Sequence, residues 1–228
     1  ILYFARLPSN IDGVNIVECT FQMHDIKEKN SYHHGDLKRA LLEETARILR
    51  EEGEDSLSFR RLASNLGVSR TAPYNHFPNK VALLSAVAEE GFARYSAAKR
   101  RAQKRSRMQD GRTRIYAVVQ AYIDFARNNP EYYELMYGSK LWRYSDPNSV
   151  LAKAARRLIE EDVELLQGYQ NGAEIRVGLD LHSFVEVFWG TVHGISRLLL
   201  DGVYTETASL ERLCETATDM LWTQLAPN

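Results

Sequence analysis

The stretch Leu57–Lys80, LSFRRLASNLGVSRTAPYNHFPNK, decides how this chain folds. It opens on an amphipathic helix with Leu62, Ala63 and Leu66 at helical spacing. Gly67 follows for a tight turn, and Val68 is an apolar plug between helices. Ser69 is placed as the N-cap of a short second helix that presents Arg70, Thr71, Tyr74, Asn75 and His76. These side chains hydrogen-bond to or pack against nucleic acid, and the helix-turn-helix layout sends such a helix into a major groove. Asn79 then caps a further helix, with Lys80 in its first turn. No acidic residue occurs between Asp55 and Glu89, while Arg60, Arg61, Arg70 and Lys80 all fall there. In a chain of net charge -1 this is a local electropositive face, which a polyanion favours.

Working outward, 228 residues make one large domain or two small ones, and 44% hydrophobic content is ordinary for a globular protein. Cys19 and Cys214 lie far apart, so they form neither a disulfide framework nor a metal-binding spacing and fit the reducing cytoplasm. No run of eighteen apolar residues occurs, and no membrane association is expected. Residues 1–30 read as an N-terminal extension without an assigned role. They begin with Ile, precede or surround Met23, and mix apolar residues with Pro8, Asn10, Asp12 and Gly13 rather than forming a signal core. Arg6 is their only Arg or Lys before Lys27, too little charge for an arm that enters a minor groove.

The remainder reads as helix after helix. Asp36 is the expected cap of the first, with Leu37, Ala40, Leu41, Ile48 and Leu49 inward and Gly53 at its end. The helix from about residue 79 to 108 has an apolar early face (Leu83, Leu84, Val87, Phe92) and a basic later run from Lys99 to Arg107, read as a solvated face. Helices are expected from Thr113 to Asn128, from Pro130 through Tyr137, from Asp146-Pro147 to about Gly172, from Asp180 to Asp201, and from Ala208 to Leu225. Residues 138–146 read as a loop. So does Glu174–Asp180, whose weak alternation would leave a strand unpaired. The fold class is therefore all-α, with a helix-turn-helix domain over residues 31–78 and a larger helical domain over 79–228.

At this point the residues resemble a known family. The run YHHGDLKRALLEETARILREEG, residues 32–53, continues through the helix-turn-helix to FPNKVALLSAVAEEGF, which ends at Phe92. It is similar to the DNA-binding domain of the TetR (tetracycline-repressor) family of bacterial regulators. Tyr74, His76, Phe77 and Lys80 fill its Tyr-x-His-Phe signature and following Lys. Trp189 to Gly194, WGTVHG, resembles the Trp-x-x-x-His-Gly run of one subgroup's C-terminal domain. The resemblance implies about nine helices and a homodimer that binds double-stranded DNA at a palindromic operator and is released by a small-molecule effector.

On that reading Arg60, Ser69, Arg70, Thr71, Tyr74, Asn75, His76 and Lys80 are the expected DNA-binding residues. Arg60 and the first turn of the recognition helix reach base edges, Tyr74 and His76 donate to phosphates, and Lys80 grips a phosphate beside free backbone N–H groups. Tyr74 has the alternative role of bracing the module, and Pro73 is taken as the fourth residue of an α-helix that tolerates it. Leu210, Leu213, Cys214, Ala217, Leu221 and Leu225 form a stripe on the last helix, and Gly190 with Gly194 flattens the one before. Both are assigned to the dimer, the alternative being that they close the monomer core. Tyr122, Phe125, Met136, Leu166, Trp189 and His193 are the expected effector-binding residues, because aromatics with few polar groups line such pockets.

No catalytic residues, cofactor or metal site are expected. His182 and His193 share a helical face but stand about 16 Å apart along it, too far for one metal. The rival to effector sensing is a DNA binder whose C-terminal domain docks a protein partner.

Overall fold

The computed structural model describes residues 34–143, 146, 149–204 and 207–227. The expected extension over residues 1–30 and the start of a helix at Pro147 lie outside the described residues. The described residues form nine α-helices, α1 (His34–Glu52), α2 (Phe59–Asn65), α3 (Lys80–Ser106), α4 (Gly111–Asn128), α5 (Pro130–Tyr137), α6 (Ser139–Trp142), α7 (Val150–Asn171), α8 (Leu181–Leu200) and α9 (Thr207–Leu225), with two short 3-10 turns at Glu54–Ser56 and Ala72–Asn75.

Each boundary has a local cause. The α1 helix opens at His34, so Asp36 lies inside its first turn rather than at its cap. It ends where Gly53 takes φ 80°, a conformation that costs other residues energy. The α3 and α4 helices start at Asn79 and Asp110, whose carboxamide and carboxylate oxygens accept from Ala82 N (2.9 Å) and Thr113 N (3.0 Å). The α7 helix starts three residues later than the Asp-Pro pair suggested, because Ser149 is the cap and accepts from Ala152 N at 3.2 Å. The expected loop at 138–146 contains the single-turn α6. Glu174–Asp180 is a loop as read: Ile175 is buried, and Arg176 N donates to Leu225 O at 2.8 Å, which ties the loop to the end of α9.

The long α3 organises the rest. At 27 residues it spans about 40 Å. Its buried stripe runs without interruption from Leu83 and Leu84 through Val87, Gly91, Tyr95, Lys99 and Ala102 to Ser106. It packs on α1, α4, α5 and α7, while α4 packs in turn on α8 and α9. At Gly91 a Cβ would come within 2.8 Å of Met136 Sδ and 3.2 Å of Tyr132 Cβ, so glycine lets α5 close against α3. Arg50 on α1 also pairs with Glu131 on α5, whose side chain is almost wholly buried. The segment that carries the helix-turn-helix is thereby fastened to the larger helical body at two places, through α3 and through this ion pair.

Two expectations fail here. Lys99, assigned to a solvated basic face, is 1% exposed and donates to Asp162 Oδ1 on α7 at 2.6 Å. The stripe on α9 closes the monomer: Leu210, Cys214, Ala217, Leu221 and Leu225 are buried in the chain's own core, and only Leu213 of the set is half-exposed. A helical stripe shows that a face is covered, and α4 covers this one.

Candidate nucleic-acid interface and cavity

The turn of the helix-turn-helix is built by its backbone. Ser58 caps α2 by accepting from Arg61 N at 3.2 Å, and Phe59, Leu62 and Ala63 bury its inner face. Gly67 has φ 64°. Val68 N donates to Ala63 O at 3.0 Å and Gly67 N to Ser64 O at 3.3 Å, the paired bonds of a Schellman ending that needs a left-handed residue between them. Val68 then packs against the core.

The recognition segment differs from its expected form. Only Ala72–Asn75 is helical, and it is a 3-10 turn with Thr71 at its cap; Ser69 caps no α-helix, its hydroxyl lying 3.2 Å from that of Thr71. Pro73 is the second residue of this turn, where no intrahelical N–H is required, so it favours the tight start instead of taxing an α-helix. Pro73 and Phe77 are buried, while Tyr74 and Asn75 between them are exposed.

Arg60, Ser69, Arg70, Thr71, Tyr74 and Asn75 are all exposed. Arg60 and Arg70 make no ion pair among the described residues, whereas Arg61 is held by Glu52 at 2.6 Å. The Tyr74 ring stands edge-on to Phe59, with centroids 4.6 Å apart, while 57% of the residue remains exposed. It therefore braces α2 and leaves its phenol outward. His76 is half-buried and ends the 3-10 turn. Lys80 is less free than expected: its ammonium donates to Glu54 O at 2.9 Å and lies 3.7 Å from the Glu54 carboxylate. The segment exposes two guanidiniums without an ion pair among the described residues, together with hydroxyls, an amide and a phenol. These groups suit phosphates and base edges.

No cavity lined by the described residues brings all six expected effector residues together. Tyr122, Trp189 and His193 join Tyr95, Tyr133 and Tyr137 in an aromatic cluster between α3, α4, α5 and α8, with centroid distances of 4.9–6.4 Å. Phe125 touches its edge at Tyr95. Met136 instead faces Gly91. Leu166 lines a separate cavity of about 50 Å³ between α3, α4, α7 and α8, with Ile115, Val118, Leu165, Phe184, Val185 and Phe188. Its polar lining includes Gln103, Ser106, Arg114 and Asp162. Sequence reading missed Asp162 altogether, since one acidic residue in a charged amphipathic helix carries no mark of burial.

Inside the cluster, Tyr133 Oη lies 2.7 Å from His193 Nδ1. Burial pushes the Tyr133 phenol up to about 12. Burial, aided by Arg197, holds His193 below its ordinary value of 6.5 and so favours the neutral ring. Below about pH 6.5 the unfolded chain takes up a proton that the fold resists. Stability is thus expected to be full above that pH and to fall as pH drops toward the depressed value. Urea midpoints at pH 8 and pH 5 check this: the native chain should lose more than His193→Gln, and equal losses would clear His193 of the effect.

Comparisons with known proteins agree with this geometry. The family model for bacterial regulatory proteins of the tetR family matches residues 41–87, and the tetracyclin repressor-like C-terminal domain matches residues 115–221. The nucleoid occlusion factor SlmA of Haemophilus influenzae is 30% identical over 122 residues, 51% of this chain and 53% of that protein, so the chain spans about half the length of that relative. Tetracycline repressor protein class C of Escherichia coli is 44% identical over 52 residues, 23% of this chain and 24% of its own. A protein of unknown function from Rhodococcus sp. RHA1 is similar in structure, with a TM-score of 0.72 and 34% identity over 87% of this chain and all of that one. A tetR-family transcriptional regulator structure from Rhodococcus sp. shares the fold at a TM-score of 0.68 and 18% identity, over 84% of this chain and 100% of that one. With both family models matched on an all-helical body that carries a built helix-turn-helix, this chain belongs to the TetR family of DNA-binding transcriptional regulators.

Proposed function

We propose that the protein is a repressor that binds a palindromic operator as a homodimer, acts in the cytoplasm, and lets go when a small molecule enters its C-terminal domain. We assign it to the subgroup marked by Trp189, His193 and Gly194. The module over residues 31–78 reads DNA, and residues 79–228 carry the effector cavity and the dimer contact. The observation that carries the DNA reading is that Arg60 and Arg70, on either side of the Schellman turn in sequence, are exposed and make no ion pair among the described residues. Ser69, Thr71, Tyr74, Asn75 and His76 belong to the same segment, and Lys80 reaches a phosphate by leaving the Glu54 carboxylate.

The dimer contact moves to the outer face of α8. Val187 (64% exposed) and Leu198 (38% exposed) flank Gly190 and Gly194, where an added Cβ would meet nothing. Met220 on α9 adds a third large apolar side chain at 67% exposure. An apolar stripe with no side chain at its centre admits a second helix at close range. Two α8–α9 pairs then form a four-helix contact.

The two DNA roles separate in salt titrations. Lys80→Ala is expected to weaken all DNA alike and to lower the salt slope by about one unit. Arg60→Ala is expected to relax preference at one base pair, by about 1–3 kcal/mol. Anisotropy titrations on a selected binding site and a scrambled duplex distinguish them. An unchanged slope for Lys80→Ala would make that residue a strut to Glu54 only.

The likeness to a nucleoid occlusion factor favours a second reading, in which the C-terminal domain docks a protein. The open cavity beside α3 supports effector sensing over it.

A further inference from the structure

The second half of α3 carries more positive charge than the fold uses. No acidic residue occurs between Glu90 and Asp110, while Arg94, Lys99, Arg100, Arg101, Lys104, Arg105 and Arg107 all fall there. Three of these are held within the molecule: Arg94 by Glu90, Lys99 by Asp162, and Arg100 beside Glu161 at 3.7 Å. Arg101, Lys104, Arg105 and Arg107 are exposed and make no ion pair among the described residues. At about 100° per residue, Arg101, Lys104 and Arg105 share one helical face with Met108, turned away from the buried stripe of Tyr95, Lys99, Ala102 and Ser106. Cations in a last turn complement the helix dipole, which accounts for Lys104 and Arg105 but leaves Arg101 a turn earlier. Like charges three and four residues apart repel, so the row is stabilised by a partner of opposite sign.

Two classes of partner carry enough negative charge, an acidic protein and a nucleic acid. Protein interfaces have an apolar core from which charges are depleted, whereas DNA interfaces are polar and strongly cationic on the protein side. On this half of α3 the only exposed large apolar side chain is Met108. Beside the row, a shallow cleft of about 380 Å³ between α3 and α4 offers Arg94, Arg101, Asn128 and Asn129 against a single acid, Asp124. Guanidiniums and amides are groups that contact phosphate and sugar.

The row is also far from the recognition segment. Lys80, the first residue of α3, follows that segment directly, and Arg101 lies about 32 Å further along the helix axis. Cations so far apart along one straight helix serve separate stretches of DNA.

We propose that Arg101, Lys104, Arg105 and Arg107 hold the phosphate backbone of a second DNA duplex, without reading its sequence, while the helix-turn-helix holds the first. The protein then bridges two duplexes. This goes beyond the repressor reading and needs neither an effector nor a symmetric operator.

The test uses the full chain. In Arg60→Ala with Arg70→Ala, which disables the recognition segment, a scrambled duplex should still bind at low salt by anisotropy. Adding Arg101→Gln, Lys104→Gln and Arg105→Gln should reduce the salt slope by about 2–3 units and the low-salt affinity at least about tenfold. All three side chains are exposed and glutamine forms helix well, so the fold tolerates the change. Bridging is read on beads that carry a duplex selected by the native chain. The native protein should retain a labelled scrambled duplex there. The triple glutamine variant, with Arg60 and Arg70 intact, should load the beads equally and retain about tenfold less. An unchanged salt slope or equal retention would overturn the proposal. Weaker loading of the beads by the triple variant would place the row on the first duplex and also overturn it. So would release of the labelled duplex by polyglutamate at a lower charge concentration than by unlabelled DNA, which would make the partner an acidic protein. The scrambled-duplex measurement requires no operator, so its outcome is separate from the failure of the repressor reading.

Discussion

Placing two carboxylates on the open face of α8, with Val187→Glu and Leu198→Glu, is expected to give a folded monomer with operator affinity lowered about 10²–10⁴-fold. Both side chains are exposed in the single chain, so the fold has little reason to suffer. In a dimer they would meet their own copies across the flat seam at Gly190 and Gly194, where four carboxylates would repel. The loss in DNA affinity follows from linkage. A dimer's second recognition segment binds intramolecularly, which supplies two to four orders of magnitude without any new contact. Sedimentation velocity with a thermal melt checks the first part, and titration on a selected site checks the second. A dimer of native size would move the interface elsewhere. Leu221→Glu is the contrasting change. Its side chain is buried against the chain's own core, so it is expected to unfold the protein rather than split it.

The second large effect is at the buried pair. Lys99→Ala should cost about 3–5 kcal/mol, because it leaves the Asp162 carboxylate buried without its cation. Burial already raises the Asp162 pKa, with Lys99 opposing, so loss of Lys99 should drive the carboxyl toward its neutral form. The double change Lys99→Met with Asp162→Leu should cost far less than Lys99→Ala, since two apolar side chains of similar size have no charge to desolvate. Urea denaturation of the three proteins decides the matter. A Lys99→Ala protein as stable as the native one would mean that water reaches the pair and the interior around it is not dry.

The difference between these two sites shows where the sequence was readable. The helix-turn-helix was legible because its parts are local. Gly67, Val68 and Asn79 act within a few residues of their own positions: the first two through backbone bonds, and Asn79 through a side-chain oxygen that accepts from Ala82 N. Pro73 marked the recognition segment as unusual, but a proline near a helix start fits both an α-helix and the 3-10 turn that forms here. The α9 stripe was correct as a pattern and wrong as an assignment, since periodicity shows a covered face without naming its cover. Lys99 was hidden by its neighbours. Arg100, Arg101, Lys104, Arg105 and Arg107 are exposed, and only the tertiary partner Asp162 sets Lys99 apart. The effector residues were chosen for aromaticity, which found a packed cluster, while Leu166 alone among the six lines the cavity.

On the proposed function, two copies of this chain read one symmetric DNA site. Selection from a random-sequence duplex library with the full chain tests it most directly. The expected result is enrichment of an inverted repeat whose half-sites are centred about one helical turn apart, about 34 Å, with base preference at the half-site positions lost in Arg60→Ala and Arg70→Ala. Enrichment of a single asymmetric half-site, or none above the unselected library, would contradict it.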